Sequence, residues 1–202
     1  IFFKNILSIL DKKKKKKIVL HSVIHPHIKK LPHHWSKLKL ETMTMDLKFP
    51  WVILQPTMYM QNILGQFELI IKNSEICMPV PLDKKLMMVD LRDVAKIAVR
   101  ACISNDLDYG IFELCGDYIS LQEQADIISK IRNIEIIPLE IDIDESKKKL
   151  KIPFSGEYGQ NTYSKMFKYY SKNGLRGNSK VLNFLLDKNS FSFHDFANEF
   201  FK

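Results

Sequence analysis

IVLHSVIH (Ile18–His25) and WVILQP (Trp51–Pro56) decide how this chain folds. Both runs are apolar at consecutive positions rather than at alternate ones. A strand with one wet face alternates apolar and polar side chains, so a continuous apolar run of this length reads as a strand buried on both faces. Pro56 ends the second run because proline cannot donate to a sheet ladder. Between the two runs, Pro26 and Pro32 frame a loop. Beyond it Trp35, Leu38, Thr42, Met43, Met45 and Leu47 form a helical stripe.

Moving outward, MYMQNILGQFELIIKN reads as helical, and EICMPV and KLMMVDL as shorter extended pieces. Asp90 or Arg92 caps a helix over Asp93–Ser104, whose stripe runs through Val94, Ile97, Ala98 and Ala101. GIFELCG (Gly110–Gly116) is strand-like. Ser120 and Glu123 have capping-box spacing at the head of LQEQADIISKI, and IEIIPLEI is a further strand. The last third is mainly helical: YSKMFKYYSKNGL stops at Asn173-Gly174, then come SKVLNFLLDK and, after Ser192, FHDFANEFFK. Buried strands alternating with helices describe an α/β fold with a parallel sheet, helices on both faces and a mainly helical C-terminal part. Open sheets of this kind bind ligands beyond the carboxyl ends of their strands, here Ser22–His25 and Pro56–Met60.

Composition narrows the classes. The 202 residues suit one domain with a sizeable core. Six lysines of the formal +8 charge sit in one tract, Lys12–Lys17, leaving +2 for the rest (8 − 6), and arginine occurs four times. The tract reads as a solvated loop or helix end, and no specific nucleic-acid partner is expected. The preceding IFFKNILSIL reads as the end of a buried helix. There is no signal-peptide pattern and no apolar run of membrane-spanning length. Cys77, Cys102 and Cys115 are odd in number and scattered, which fits a reducing, cytoplasmic setting rather than a disulfide framework. His25, His27, His33 and His34 lack the cysteine or carboxylate that would complete a zinc spacing, so no metal site is expected. The eight methionines read as core filler, and Phe184, Phe191, Phe193, Phe196, Phe200 and Phe201 as packing for the C-terminal part. Asp90 and Asp93 read as caps rather than a carboxylate pair.

His33 and Lys37 are four apart, so on a helix starting near His33 they share a face in its first turns. With Ser22 at the end of the preceding strand, a hydroxyl, an imidazole and an ammonium converge on one point. Such a trio suits a ribose and a reacting carbonyl; the alternative is a surface lysine and a loop histidine. Spacing alone leaves both open.

IVLHSVIHP, LPHHWSKLKLE, ILQPTMYMQNIL, MMVDLRDVA and GIFELCG stand in the order seen in the NmrA-like family of atypical short-chain dehydrogenases/reductases. The closing run YYSKNGLRGNSKVLNFLL…SFSFHDF also resembles a bacterial-type branch of that family, and the likeness runs from about Ile18 onward. It implies a Rossmann domain that binds NAD(P), with residues 1–115 as its remaining portion and 116–202 as the substrate side. It implies that Ser22 and Lys37 act at the nicotinamide ribose, that Pro56 and Thr57 lie beside the nicotinamide, and that Tyr59 and Asn62 face the substrate. The catalytic tyrosine of Tyr-x-x-x-Lys falls at His33, an imidazole able to carry a proton, so Ser22, His33 and Lys37 are the catalytic candidates. Two readings follow: a reductase of a small carbonyl or quinone-like substrate, or a non-catalytic redox-sensing or partner-binding regulator, including a relative that has lost cofactor binding. The family's glycine-rich phosphate turn has no counterpart, the first glycine being Gly65. By the family's order the first strands and that turn would precede Ile1. The chain is therefore expected to be N-terminally truncated, to leave the edge beside Ile18–His25 unpaired, and to bind NAD(P) weakly.

Overall fold

A computed structural model describes residues 17–150 and 156–202, together with Asn5 and Ile9. The expected helix end in IFFKNILSIL lies otherwise outside the described residues, as does the lysine tract up to Lys16. Lys17 departs from a solvated tract. Its ammonium is bound by Asp108, the Ser104 carbonyl and, at 3.3 Å, Asn105 Oδ1.

The central sheet is parallel, in the order β1 (Ile18–His21), β2 (Trp51–Pro56), β6 (Gly110–Leu114). All six residues of β2 are buried. Val52 and Leu54 pack with Val94, Ile97 and Ala101 of α2 (Leu91–Ile103) and with Leu182 and Leu185 of α6 (Ser179–Leu186). Trp51 and Ile53 face the other way, with Leu40 of α1 (Pro32–Met45) and Leu47 beyond it. Alternation of side chains along a strand thus explains the continuous apolar run: each face has its own helix layer. Among the described residues β1 pairs with β2 alone.

Two smaller sheets flank this one. β3 (Met58–Tyr59) and β5 (Leu86–Val89) run parallel, with β7 (Asp117–Ile119) antiparallel to β5; β4 (Glu75–Met78) pairs in parallel with β8 (Ile137–Glu140). The expected helix after Met58 differs from what forms. Met60–Gln66 is a 3₁₀ helix and Leu69–Asn73 a π turn, ended by Ser74 in the left-handed region. β7 and the short α4 (Ile143–Lys149) were not legible in sequence. α3 (Leu121–Arg132) opens on the capping box of Ser120 and Glu123, and α7 (Phe193–Phe200) on a second one, Ser192 with Asp195. Asp90 caps α2 and is held by Arg92, while Asp93 Oδ2 accepts from the Phe191 N–H at 2.7 Å. Phe193, Phe196 and Phe201 are buried against α3, as expected. Phe184 is 79% exposed and packs nothing.

A candidate active site at the carboxyl end of the sheet

Beyond β1 and β2 the backbone continues in register. Ser22 N–H donates to Leu54 O, Ile24 N–H to Pro56 O, and Thr57 N–H to Leu114 O. These bonds fix the strand ends as one rim of a cavity of about 680 Å³. α1 forms a second wall, starting with Pro32 at its first turn, where a missing N–H costs nothing. The 3₁₀ helix, the head of α3, and Tyr163, Phe167 and Tyr170 of α5 (Gly156–Asn173) complete it. All seven residues singled out from sequence (Ser22, His33, Lys37, Pro56, Thr57, Tyr59 and Asn62) line this one space.

Lys37 is half-buried, and its ammonium donates to the His21 carbonyl at 3.1 Å, beside Ser22. Ser22 is buried and donates its hydroxyl proton to Glu41, which also receives Gln55 Nε2 at 2.9 and 3.1 Å. Glu41 follows Lys37 by one helical turn, so α1 carries both the ammonium and the carboxylate that orients Ser22. With its proton committed, the Ser22 oxygen is left as an acceptor. Neither Glu41 nor Gln55 was singled out from sequence. A glutamate on the apolar side of a helix and a glutamine inside an otherwise apolar strand were the signals.

His33 stands exposed at the rim, and desolvation and then the Lys37 ammonium hold its pKa below the ordinary histidine value. His21 is lowered by the same two causes, and its Nε2 lies 2.6 Å from the Tyr59 hydroxyl, whose own pKa is raised by burial. At neutral pH the pair is an uncharged imidazole against a phenol that keeps its proton. His21 was read only as part of a strand, yet it is a second proton-carrying group on this rim. Behind it, His34 is buried. Its Nδ1 contacts the Ile24 carbonyl at 2.7 Å, so that nitrogen carries the proton and Nε2 accepts from the Tyr170 hydroxyl at 3.0 Å. Burial lowers His34 to about 4 and raises Tyr170, so this pair clamps α1 to α5 without charge.

Thr57 Oγ1 and Gln124 Oε1, both on lining residues, are buried with no hydrogen-bond partner among the described residues. Leaving such a group unpaired costs about 1–3 kcal/mol. Cys77 also lines the space, but burial pushes its thiol up to about 11, so it is no nucleophile at neutral pH. Among the described residues no three metal-ligating side chains gather, and no helix is long and apolar enough to cross a membrane.

No protein-family model matches the sequence, and neither does any curated protein. Solved structures do match. The NADPH-dependent quinone oxidoreductase of Escherichia coli, complexed with NADPH, superposes with a TM-score of 0.84 at 18% identity, over 99% of this chain and 71% of that one. The Citrobacter triphenylmethane reductase complexed with NADP(H) gives 0.82 at 12% identity, over 98% and 69%. NmrA, a negative transcriptional regulator in complex with NADP, gives 0.72 at 13% identity, over 98% and 68%. The chain therefore has the Rossmann-like α/β fold found in these reductases and in NmrA.

Proposed function

We propose that the cavity binds the nicotinamide end of NAD(P)H and a small carbonyl or quinone-like substrate, and that the chain acts as a cytoplasmic reductase. The observation that carries this is the convergence of Ser22, Pro56 and Thr57 from the strand ends and Lys37 from α1 on one space that Tyr163, Phe167 and Tyr170 also line. The residues present fit a nicotinamide riboside. Thr57 has a buried hydroxyl without a partner among the described residues, Ser22 offers an acceptor, and an ammonium such as Lys37 has three donors, one of them on His21 O. Bound there, the reduced nicotinamide supplies hydride. Lys37 and Ser22 hold the ribose hydroxyls, and Pro56 presents a flat, non-donating surface to the ring. Thr57 bonds the carboxamide.

The proton for the reduced oxygen comes from the rim, where His33 and the Tyr59–His21 pair are the two carriers. Tyr59 and Asn62 face the substrate. The non-catalytic alternative, a redox sensor that contacts a regulatory partner, is favoured by one observation: an exposed histidine with a lowered pKa holds little proton at pH 7.

The test is fluorescence titration with reduced nicotinamide mononucleotide, alongside assay of aldehyde and quinone reduction. Lys37→Ala is expected to weaken binding by about tenfold, the effect of losing one charge-assisted hydrogen bond; equal binding by both proteins removes Lys37 from the site. His33→Phe and Tyr59→Phe then separate the two proton carriers. If the wild type reduces none of these compounds, the regulatory reading holds; if it reduces them and neither variant is slower, both proton carriers are wrong.

A further inference from the structure

The inward face of α3 is Leu121, Gln124, Ala125 and Ile128, spaced as an apolar stripe along one side of the helix. Leu121, Ala125 and Ile128 pack in the main core with Ile63 and Met88. Gln124 occupies a position of that stripe where a leucine would fit, is 2% exposed, and lines the cavity. The nearby Gln66 shows what a buried carboxamide does when its role is structural: its Nε2 donates to Cys77 O and its Oε1 accepts from Cys77 N–H, each at 2.9 Å. Gln124 Oε1 has no such partner among the described residues. Its neighbours on the stripe, Leu121, Ala125 and Ile128, are all apolar.

We propose that Gln124 is a substrate-reading residue: its carboxamide accepts a hydrogen bond from a hydroxyl or N–H on a flat, largely apolar substrate packed against Met58, Ile63 and Met88. This rests on the reading of the cavity as a reductase site and adds the substrate's second end. The reacting carbonyl lies toward Lys37 and Tyr59, and the donor group lies toward α3. Rotation about the last torsion of a glutamine side chain is broad and cheap, so the oxygen can turn to meet the ligand. A site built to pair with a hydroxyl rejects the analogue that lacks it more strongly than an apolar pocket rejects a misfit of the same size.

The experiment compares 6-hydroxy-2-naphthaldehyde with 6-fluoro-2-naphthaldehyde, which is close in size and loses the donor, by calorimetric titration of the full chain at pH 6.5. The wild-type protein should prefer the hydroxy compound by about tenfold, the worth of one good hydrogen bond. Gln124→Leu should reduce that preference to within about twofold while raising the unfolding midpoint, and Gln124→Glu, which keeps an acceptor, should retain it. Should the leucine variant fail to fold, Gln124→Met is held to the same two outcomes. Equal binding of the two aldehydes by the wild type overturns the proposal, as does an undiminished preference in Gln124→Leu. Titration with reduced nicotinamide mononucleotide separates this from the cofactor reading. If that probe does not bind while the hydroxyl preference holds, the subsite stands and the cofactor assignment falls. If it binds and no preference exists, the subsite alone falls.

Discussion

His34 shows at the scale of a residue how an uncharged clamp gives stability a pH dependence. Its imidazole is buried, and burial is the larger influence that brings its pKa to about 4 in the folded chain, against about 6.5 when unfolded. A base whose folded pKa is lowered binds protons preferentially when unfolded. The contribution of His34 to stability is therefore full above pH 6.5, is lost as pH falls toward 4, and is constant below. The total is about 3 kcal/mol for a shift of this size. Urea melts at pH 7, 5.5 and 4 check this, and His34→Gln should lose most of the slope; His21 and His33, also lowered, contribute the remainder in the same sense. Strand ends and a four-residue spacing are local facts and pointed to Ser22, Pro56, Thr57, Tyr59, His33 and Lys37, while Asn62 and the roles of all seven came from the family resemblance. Gln124 and His34 were not legible, and the local signals of Glu41 and Gln55, a charge on the apolar side of a helix and an amide in an apolar strand, do not say what those side chains bind. Partners 14 residues away (Gln55 to Glu41) or 136 away (His34 to Tyr170) define their roles.

At the scale of an element, caps and stops were read correctly where a short motif specifies the backbone. The Asn173-Gly174 stop of α5 is one such place: Gly174 has φ +70, and a Cβ there would meet Lys85 O at 3.0 Å. Gly174→Ala adds left-handed strain to that approach and should cost about 1–3 kcal/mol in urea unfolding, with the same change at the exposed Gly65, whose Cβ would meet nothing within 4 Å, close to neutral by comparison. The stretch after Met58 is helical, as its apolar spacing suggests, but not a regular α-helix, because its ends are tied elsewhere. Gln66 is pinned to Cys77 of β4, and Met58 and Tyr59 are drawn into β3, so the chain between winds as 3₁₀ and π turns instead. The strand β7 escaped notice because three residues are too few for a period.

For the whole molecule, the relation of the cavity to the sequence makes a further prediction. The rim is proposed to hold a ribose and a nicotinamide, yet the 202 residues hold no glycine-rich turn of the kind that cradles a pyrophosphate against a helix N-terminus. The added adenylate half should then contribute little, and this chain should bind reduced nicotinamide mononucleotide and NADH within about threefold of each other by fluorescence titration. A hundredfold advantage for NADH would mean that other residues grip the pyrophosphate. The sequence by itself determined the α/β class, the parallel central strands, the caps and the rim where ligands meet, because each rests on spacing within a few residues. Only the tertiary structure decided that Ser22 points its proton at Glu41, that Tyr59 pairs with His21, and that Gln124 Oε1 has no partner among the described residues. These depend on which distant side chains share a low-dielectric space, and spacing along a chain carries no record of that.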